Sequence, residues 1–89
     1  MIKMLEHQAK LEFGTGDIGL NAGAIKEDGD KAGVIIFYNQ EPRNIGDTGD
    51  IKAGTEVNIN DFPVVMKFYG KESIDVVIKA LLEAKKEMN

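Results

Sequence analysis

The sequence has 89 residues, of which 43% are hydrophobic and 29% charged, and its formal net charge at pH 7 is −4. This composition is typical of one small soluble domain, expected over residues 1–89, and no apolar run approaches the roughly 18 residues of a membrane span. The acidic balance argues against a general nucleic-acid binder, and the lack of cysteine excludes disulfides and thiolate metal sites. Without a visible secretory signal, a cytoplasmic location is the simplest interpretation.

The first part of the chain predicts two strands separated by glycines. Residues 5–13 alternate between apolar and polar side chains, which is typical of a half-buried strand. Two glycines interrupt residues 14–17, and residues 18–25 alternate again. His7 falls on the apolar side of the first strand, where a half-buried, hydrogen-bonded histidine is a more common outcome than a catalytic one.

The middle of the chain predicts a hairpin and then a long loop. Residues 27–30, Glu-Asp-Gly-Asp, are a hairpin turn signal, since Asp-Gly tolerates positive backbone angles. Residues 33–38 are apolar on both faces and should form a central strand. Residues 39–50 are polar and contain proline and glycine, which indicates a large surface loop, and residues 51–59 could form a short edge strand.

The last third of the chain predicts a strand that leads into a helix. Residues 64–69 alternate, Gly70 can cap a helix, and the segment that follows has an apolar face at three- and four-residue spacing. The residues of that face, expected to belong to the core, are Ile74, Val77, Ile78, Leu81 and Met88. Acidic residues in the first turn and lysines in the last suit the helix dipole.

Together these elements predict an α+β fold, a small antiparallel sheet of about four to six strands with one C-terminal helix packed on it. The apolar surface exceeds what one helix can bury. Either the N-terminal strands curl over the sheet as a second layer, or the surface is the interface of a homo-oligomer, and the two are compatible. The candidate interface residues are Tyr69, Val76, Ala80 and Leu82.

Several chemical motifs favour a structural interpretation. Residues 14–19 match G-x-G-x-x-G, but a strand-like segment follows where dinucleotide binding needs a helix, so turn glycines are favoured over an anion pocket. Ser73, the sole serine, should satisfy a free backbone amide in the first helical turn. The acidic clusters at residues 27–30 and 47–50 lack calcium-loop spacing. No catalytic residue, metal or cofactor is expected.

The large loop holds the best candidate binding residues. Arg43 is the only arginine of the chain, and Pro42 stiffens the backbone beside it. A guanidinium can bind a carboxylate or phosphate at two points, as a lysine cannot. The helix N-terminus is a second natural anion site. We therefore expect ligand binding at five residues, which are Glu41, Arg43, Asn44, Lys71 and Ser73.

The order of these segments resembles that of small phage and prophage proteins without an established activity. The similar parts are Gly-Val-Ile-Ile-Phe at residues 33–37, Glu-Pro-Arg-Asn-Ile-Gly at residues 41–46, and the ending from Phe68 to Leu81, which contains Glu-Ser-Ile-Asp-Val-Val-Ile. The resemblance implies a setting and no catalytic residues. In that setting, accessory proteins often block host proteins or sequester host signal molecules as small oligomers.

These observations favour a non-catalytic binding protein. The first hypothesis is a homo-oligomer that binds an anionic small molecule, such as a nucleotide signal, or a host protein, in the host cytoplasm if the chain is phage-encoded. The second is a structural or assembly protein, such as a minor phage component. The third is a small enzyme that uses His7 or a carboxylate.

Overall fold

The computed structural model describes residues 1–46 and 57–88, which contain five strands, a 3-10 helix and one α-helix. In chain order the elements are β1 (Ile2–Leu5), β2 (Gln8–Leu11), β3 (Ile18–Glu27), β4 (Asp30–Asn39), the 3-10 helix (Ile59–Asp61), β5 (Val64–Phe68) and α1 (Lys71–Glu87). The strands form a two-stranded sheet, β1-β2, and a three-stranded sheet in the order β3-β4-β5. The predicted α+β class is confirmed, with the strands divided between two sheets.

β1 and β2 form an antiparallel hairpin in which Leu5 lies opposite Gln8, with a two-residue turn at Glu6 and His7. The single strand predicted over residues 5–13 is therefore wrong. The apolar alternation continues through the turn, and the turn contains none of the Gly, Asn or Asp residues that usually mark such a loop. His7 consequently lies at the hairpin tip with its side chain 88% exposed, so its predicted half-buried position is also wrong.

The second hairpin turns at Asp28 and Gly29, as the sequence predicts. Their φ angles are 51° and 87°, and positive angles at both central positions are what a type I′ turn requires. Its backbone twist matches the right-handed twist of the strands that it joins. The acidic cluster at residues 27–30 thus forms a hairpin turn, whereas the cluster at residues 47–50 lies outside the described residues.

β4 is the central strand of the larger sheet, as its apolar faces predict. Its buried side chains point to both faces of the sheet and are Ala32, Val34, Ile36, Phe37 and Tyr38. Because side chains alternate along a strand, burial of adjacent residues requires cover on both sides. β4 therefore supplies most of the buried apolar side chains among the described residues.

Residues 57–63, the described segment before β5, do not form a strand. Residues 51–56 of the predicted edge strand lie outside the described residues, and Ile59 begins the 3-10 helix. The side chain of Asn58 accepts a hydrogen bond of 2.9 Å from the backbone N–H of Asn60. This local bond gives the backbone an alternative to pairing in a sheet, so the strand predicted at this end is wrong.

The chain forms two compact units, and the first comprises Met1–Ala22 and Ile35–Met66. Its core consists of three buried side chains with four partly buried apolar residues packed against them. The buried residues are Ile2, Ile18 and Phe37, and the others are Leu11, Ile35, Val64 and Met66. The N-terminal hairpin thus covers apolar side chains of the larger sheet within this unit. The interpretation of residues 1–89 as one domain stays a prediction.

The second unit comprises Gly23–Val34 and Lys67–Asn89, and it contains α1. Gly70 is the N-cap of α1, as predicted. Ile74 lies over Gly33, since a Cβ built on that glycine would be 3.5 Å from Ile74 Cδ1. Within the described residues, no helix has the length and apolar content needed to cross a membrane.

The apolar face of α1 is not part of the core. None of the 17 residues of α1 is buried, and only Ile74 and Val77 are half-buried. The other members of the predicted stripe are exposed, and they are Ile78, Leu81 and Met88. The core assignment of these three residues is therefore wrong, because helical periodicity shows that a face is apolar without showing that this chain covers it.

Asp17 is a buried charged residue, 9% exposed, in the first unit. Its carboxylate accepts a hydrogen bond of 3.0 Å from the Met1 ammonium group, and this bond holds the pKa of Asp17 below its ordinary value. The next residue, Ile2, donates its backbone N–H to the side-chain oxygen of Asn39 at 2.8 Å. The first bond joins the start of the chain to the residue before β3, and the second joins the start of β1 to the end of β4.

We expect Asp17→Asn to lower the free energy of unfolding at neutral pH. The free energy of unfolding should also depend less on pH in the acidic range. Because the folded pKa lies below the unfolded value of about 3.9, the carboxylate stabilises the fold above that pH. The stabilisation is lost as the pH falls through the lowered folded pKa. Urea unfolding midpoints between pH 2.5 and pH 7, measured with a free Met1 amine, would show this.

The matched comparison is Glu12→Gln, which removes the carboxylate of an ion pair with Lys3 whose N–O distance is 2.6 Å. The Lys3 partner also lowers the pKa of Glu12, but both side chains are at least half exposed, and solvent screens such pairs. The substitution Asp17→Asn should change the pH dependence of the unfolding midpoint more than Glu12→Gln does. The opposite order would show that the buried carboxylate is not the more important of the two.

Candidate functional site

The loop that contains Arg43 packs against the glycine-rich loop that precedes β3, within the first unit. We call residues 40–46 the arginine loop and residues 14–17 the glycine loop. The Gln40 backbone N–H donates to the Asp17 carbonyl at 2.9 Å, and its side-chain Nε2 donates to the Gly16 carbonyl at 3.1 Å. Two segments more than 20 residues apart in sequence are thereby held side by side.

Gly16 makes this close approach possible. Its φ angle is +71°, and a Cβ built there would lie 1.8 Å from the Arg43 carbonyl oxygen. Glycine adopts this angle without strain, and any side chain would collide with the arginine loop. Gly19 has a related role in β3, because its Cβ would lie 2.3 Å from the Tyr38 ring and 2.7 Å from Gln40 Oε1.

The G-x-G-x-x-G match is therefore explained by packing. Gly19 lies inside β3, so the motif leads into a strand and offers no helix N-terminus for a pyrophosphate. This agrees with the preference for turn glycines over a dinucleotide fingerprint. Tyr38, whose ring covers Gly19, also donates its hydroxyl to the Asn21 side-chain oxygen at 2.8 Å.

Arg43 is half-buried, whereas Glu41 and Asn44 are exposed. The Arg43 Nε donates to the Glu41 carbonyl oxygen at 3.2 Å, so the side chain folds back onto its own loop. This bond restrains the guanidinium plane, which carries five N–H donors in a fixed fork. Restraint of this kind lowers the conformational entropy lost when a carboxylate or phosphate binds.

Gln40 adds a buried acceptor beside the arginine loop. Its Oε1 accepts no hydrogen bond among the described residues, although Nε2 is bonded to Gly16. A buried acceptor without a donor costs about 1–3 kcal/mol. No sequence pattern predicted this feature, because Gln40 looked like an ordinary loop residue.

The other two candidate ligand residues, Lys71 and Ser73, lie at the start of α1 in the second unit and are exposed. Ser73 Oγ donates to the Gly70 carbonyl oxygen at 2.6 Å, and the Ser73 backbone N–H bonds the same oxygen at 3.2 Å. The predicted bond from a free backbone amide to Ser73 is therefore wrong. As a donor to the N-cap carbonyl, the hydroxyl reinforces the first turn of α1.

An exposed tyrosine marks a second surface feature. Tyr69, expected at an interface, is 75% exposed and lines an open depression of about 400 Å³ with Asp30, Lys31 and Ala32. Lys67 Nζ lies 5.9 Å from the centre of the Tyr69 ring, within cation–π distance. Lys67 lies in β5 and Tyr69 is the first residue after it, and the alternation of residues 64–69 in the sequence places both on one face.

The remaining candidate group, His7, lies in a solvent-exposed position. His7 Nε2 lies 3.9 Å from a Glu6 carboxylate oxygen, and both side chains are 88% exposed at the hairpin tip. Across residues 1–46 and 57–88, no three acidic or histidine side chains converge as a metal site requires. The arginine loop on the glycine loop is thus the best-defined candidate site.

Comparison with known proteins gave no matching family model, no matching curated protein and no matching solved structure. The candidate site is therefore interpreted from the residues of this chain.

We expect Gly16→Ala to destabilise the protein by about 3 kcal/mol. The added methyl group collides with the Arg43 carbonyl, and alanine is strained at a positive φ angle. Chemical denaturation would measure the loss. Gly23→Ala is the matched control, because a Cβ at Gly23 meets nothing within 4 Å. Equal stability of the two variants would show that the loops do not pack as described.

Proposed function

We propose that the protein is a non-catalytic binding protein, a homo-oligomer whose arginine loop holds an anionic small molecule or an acidic surface of a host protein. The observation that carries this proposal is the bracing of the loop. Arg43 lies on a segment fixed at Gly16, and its guanidinium is bonded to the backbone of its own loop. Binding sites are most effective when a rigid scaffold presents a few polar groups in fixed positions.

Ligand chemistry follows from the groups at the loop. A guanidinium binds phosphate or carboxylate through two parallel N–H bonds, and Asn44 beside it can donate or accept. A nucleotide offers phosphate, hydroxyl and base N–H groups together, which makes a nucleotide the preferred ligand class.

The resemblance to small phage proteins suggests the purpose of such binding. A phage accessory protein in the host cytoplasm that sequesters a nucleotide signal would act against host defence. Sequestration needs affinity and abundance without turnover, which agrees with a site built from an arginine and backbone groups. The exposed residues Tyr69, Val76, Ala80 and Leu82 are proposed to form contacts between subunits.

A nucleotide panel, including cyclic and linear forms, tests the proposal by thermal unfolding. A ligand at 100 times its Kd stabilises the folded state by about 2.7 kcal/mol, which raises the Tm of a chain of this size by roughly 15 °C. No rise with any nucleotide would rule out nucleotide sequestration and leave an acidic host protein as the partner to test by pull-down.

Substitution of Arg43 then locates the site. We expect Arg43→Ala to weaken binding by about 10- to 100-fold, because charge-assisted hydrogen bonds are lost. Arg43→Lys keeps the positive charge but loses the paired N–H donors of the guanidinium. Its affinity for the ligand should lie between those of Arg43→Ala and the unmodified protein. Lys10→Ala on β2 removes one positive charge outside the arginine loop and is the control. Equal affinity of Arg43→Ala and the unmodified protein in calorimetry would place the ligand elsewhere.

A structural or assembly protein, such as a minor phage component, is the second candidate. The exposed apolar face of α1 favours it, since Leu81 and Leu82 are 65% and 61% exposed. An assembly protein would co-purify with virion proteins, whereas a free oligomer that captures none in a pull-down would count against this function.

A further inference from the structure

The strand β3 lies at one edge of the larger sheet. It pairs with β4 on one side, and among the described residues no strand pairs with its other side, which we call the outer edge. β3 has 10 residues, so at roughly 3.3 Å per residue the outer edge extends over about 33 Å. Such an edge presents a row of backbone N–H and C=O groups with which a further strand can pair.

Hydrogen bonds at both ends of the hairpin fix which residues carry those groups. At one end, the Gln40 N–H donates to the Asp17 carbonyl at 2.9 Å. At the other, the two-residue turn at residues 28–29 makes Glu27 and Asp30 a hydrogen-bonded pair. β3 and β4 have the same length, so every second residue from Asp17 to Glu27 bonds β4. The residues between them direct their backbone groups to the outer edge, and they are Ile18, Leu20, Ala22, Ala24 and Lys26.

The outer edge lacks the features that usually prevent strand pairing. Residues 18–25 contain no charged residue and no proline. Leu20 is 52% exposed, and Ala22, Gly23 and Ala24 are also exposed. A Cβ built on Gly23 would meet nothing within 4 Å. The middle of β3 is therefore accessible to a strand that approaches from outside.

The side chains in the middle of β3 are complementary to those of a second copy. In an antiparallel pair with a two-fold axis at Ala22, Leu20 of one protomer lies opposite Ala24 of its partner. On the other face of the sheet, Asn21 lies opposite Gly23 of the partner. Each larger side chain thus faces a small one, and the outward N–H and C=O groups of the two copies meet.

Neighbouring registers lack this match. An axis at Asn21 would place two asparagines directly opposite each other, and an axis at Gly23 would place Leu20 opposite Lys26 of the partner. Side-chain size therefore favours the axis at Ala22, in the way that cross-strand pairs set the register of a sheet.

We propose that two copies of this chain associate through the outer edge of β3, paired antiparallel about a two-fold axis at Ala22. The larger sheets of the two protomers then form one continuous sheet. This inference rests on the homo-oligomer of the proposed function and specifies one of its contacts, independently of the ligand. Backbone hydrogen bonds hold the contact, and the alternation of larger and smaller side chains sets its register.

Charges at the axis test the pairing, because the two copies of residue 22 lie directly opposite each other. We expect Ala22→Lys and Ala22→Glu each to raise the dissociation constant of the dimer at least about 10-fold, since like charges meet across the strands. An equimolar mixture of the two should form a heterodimer with a dissociation constant within about 3-fold of that of the unmodified dimer. Native mass spectrometry identifies the heterodimer, sedimentation measures dissociation, and circular dichroism confirms folding.

Ala9 on β2 supplies the matched control, because it is another exposed alanine in a strand. We expect Ala9→Lys to leave the dissociation constant within about 3-fold. Equal weakening by Ala9→Lys and Ala22→Lys would overturn the inference. So would a mixture of the Ala22 variants that forms no heterodimer, or an unmodified protein that is monomeric at millimolar concentration.

Ala22→Pro tests the backbone bonds. Proline removes the outward N–H of residue 22, while the neighbouring residues keep their bonds to β4. The variant should fold and lose the dimer, and a folded variant with an unchanged dissociation constant would overturn the inference.

Thermal shifts with nucleotides, measured on Ala22→Lys, separate this inference from the proposed function. A β3 dimer without nucleotide binding defeats only the ligand proposal. Nucleotide binding by a protein whose oligomer is unchanged by Ala22→Lys defeats only the β3 contact.

Discussion

The described structure depends on the pairing of β4 along both of its edges. Its position between β3 and β5 commits adjacent apolar residues to opposite faces, and each face then needs cover. In the first unit Phe37 packs in the core with Ile2. In the second unit Ile74 of α1 packs over Gly33, which has no side chain. The end of the strand leads directly into Gln40, which fixes the arginine loop. One strand thus determines both the packing and the candidate site.

The sequence predicted the elements whose signals are local and chemical. The Asp28-Gly29 turn, the doubly apolar β4 and the Gly70 cap each follow from a few adjacent residues, and the structure contains all three. The hairpin at Glu6 and His7 was missed because a two-residue turn without glycine leaves the apolar alternation intact. A pattern of period two cannot show by itself where a strand reverses direction.

The candidate site was predictable only in part. Arg43 stood out because it is the single arginine and follows a proline, but its contact with Gly16 joins segments with no shared local pattern. The core assignment of Leu81 failed for a different reason. An amphipathic period states that a face will be covered, and it leaves open whether the cover comes from the same chain, a second copy or another protein. The 65% exposure of Leu81 in the folded chain shows that the described part of the chain does not cover this side chain.

The two tyrosines lie in different units, so each unit contains one intrinsic fluorophore. The sequence has no tryptophan, so ultraviolet emission comes from Tyr38 in the first unit and Tyr69 in the second. Tyr38 is 9% exposed and its ring lies 5.8 Å from that of Phe62, whereas Tyr69 is 75% exposed. Quenching by a dissolved agent therefore reaches Tyr69 first. Replacing either tyrosine by phenylalanine leaves a signal from the other unit alone.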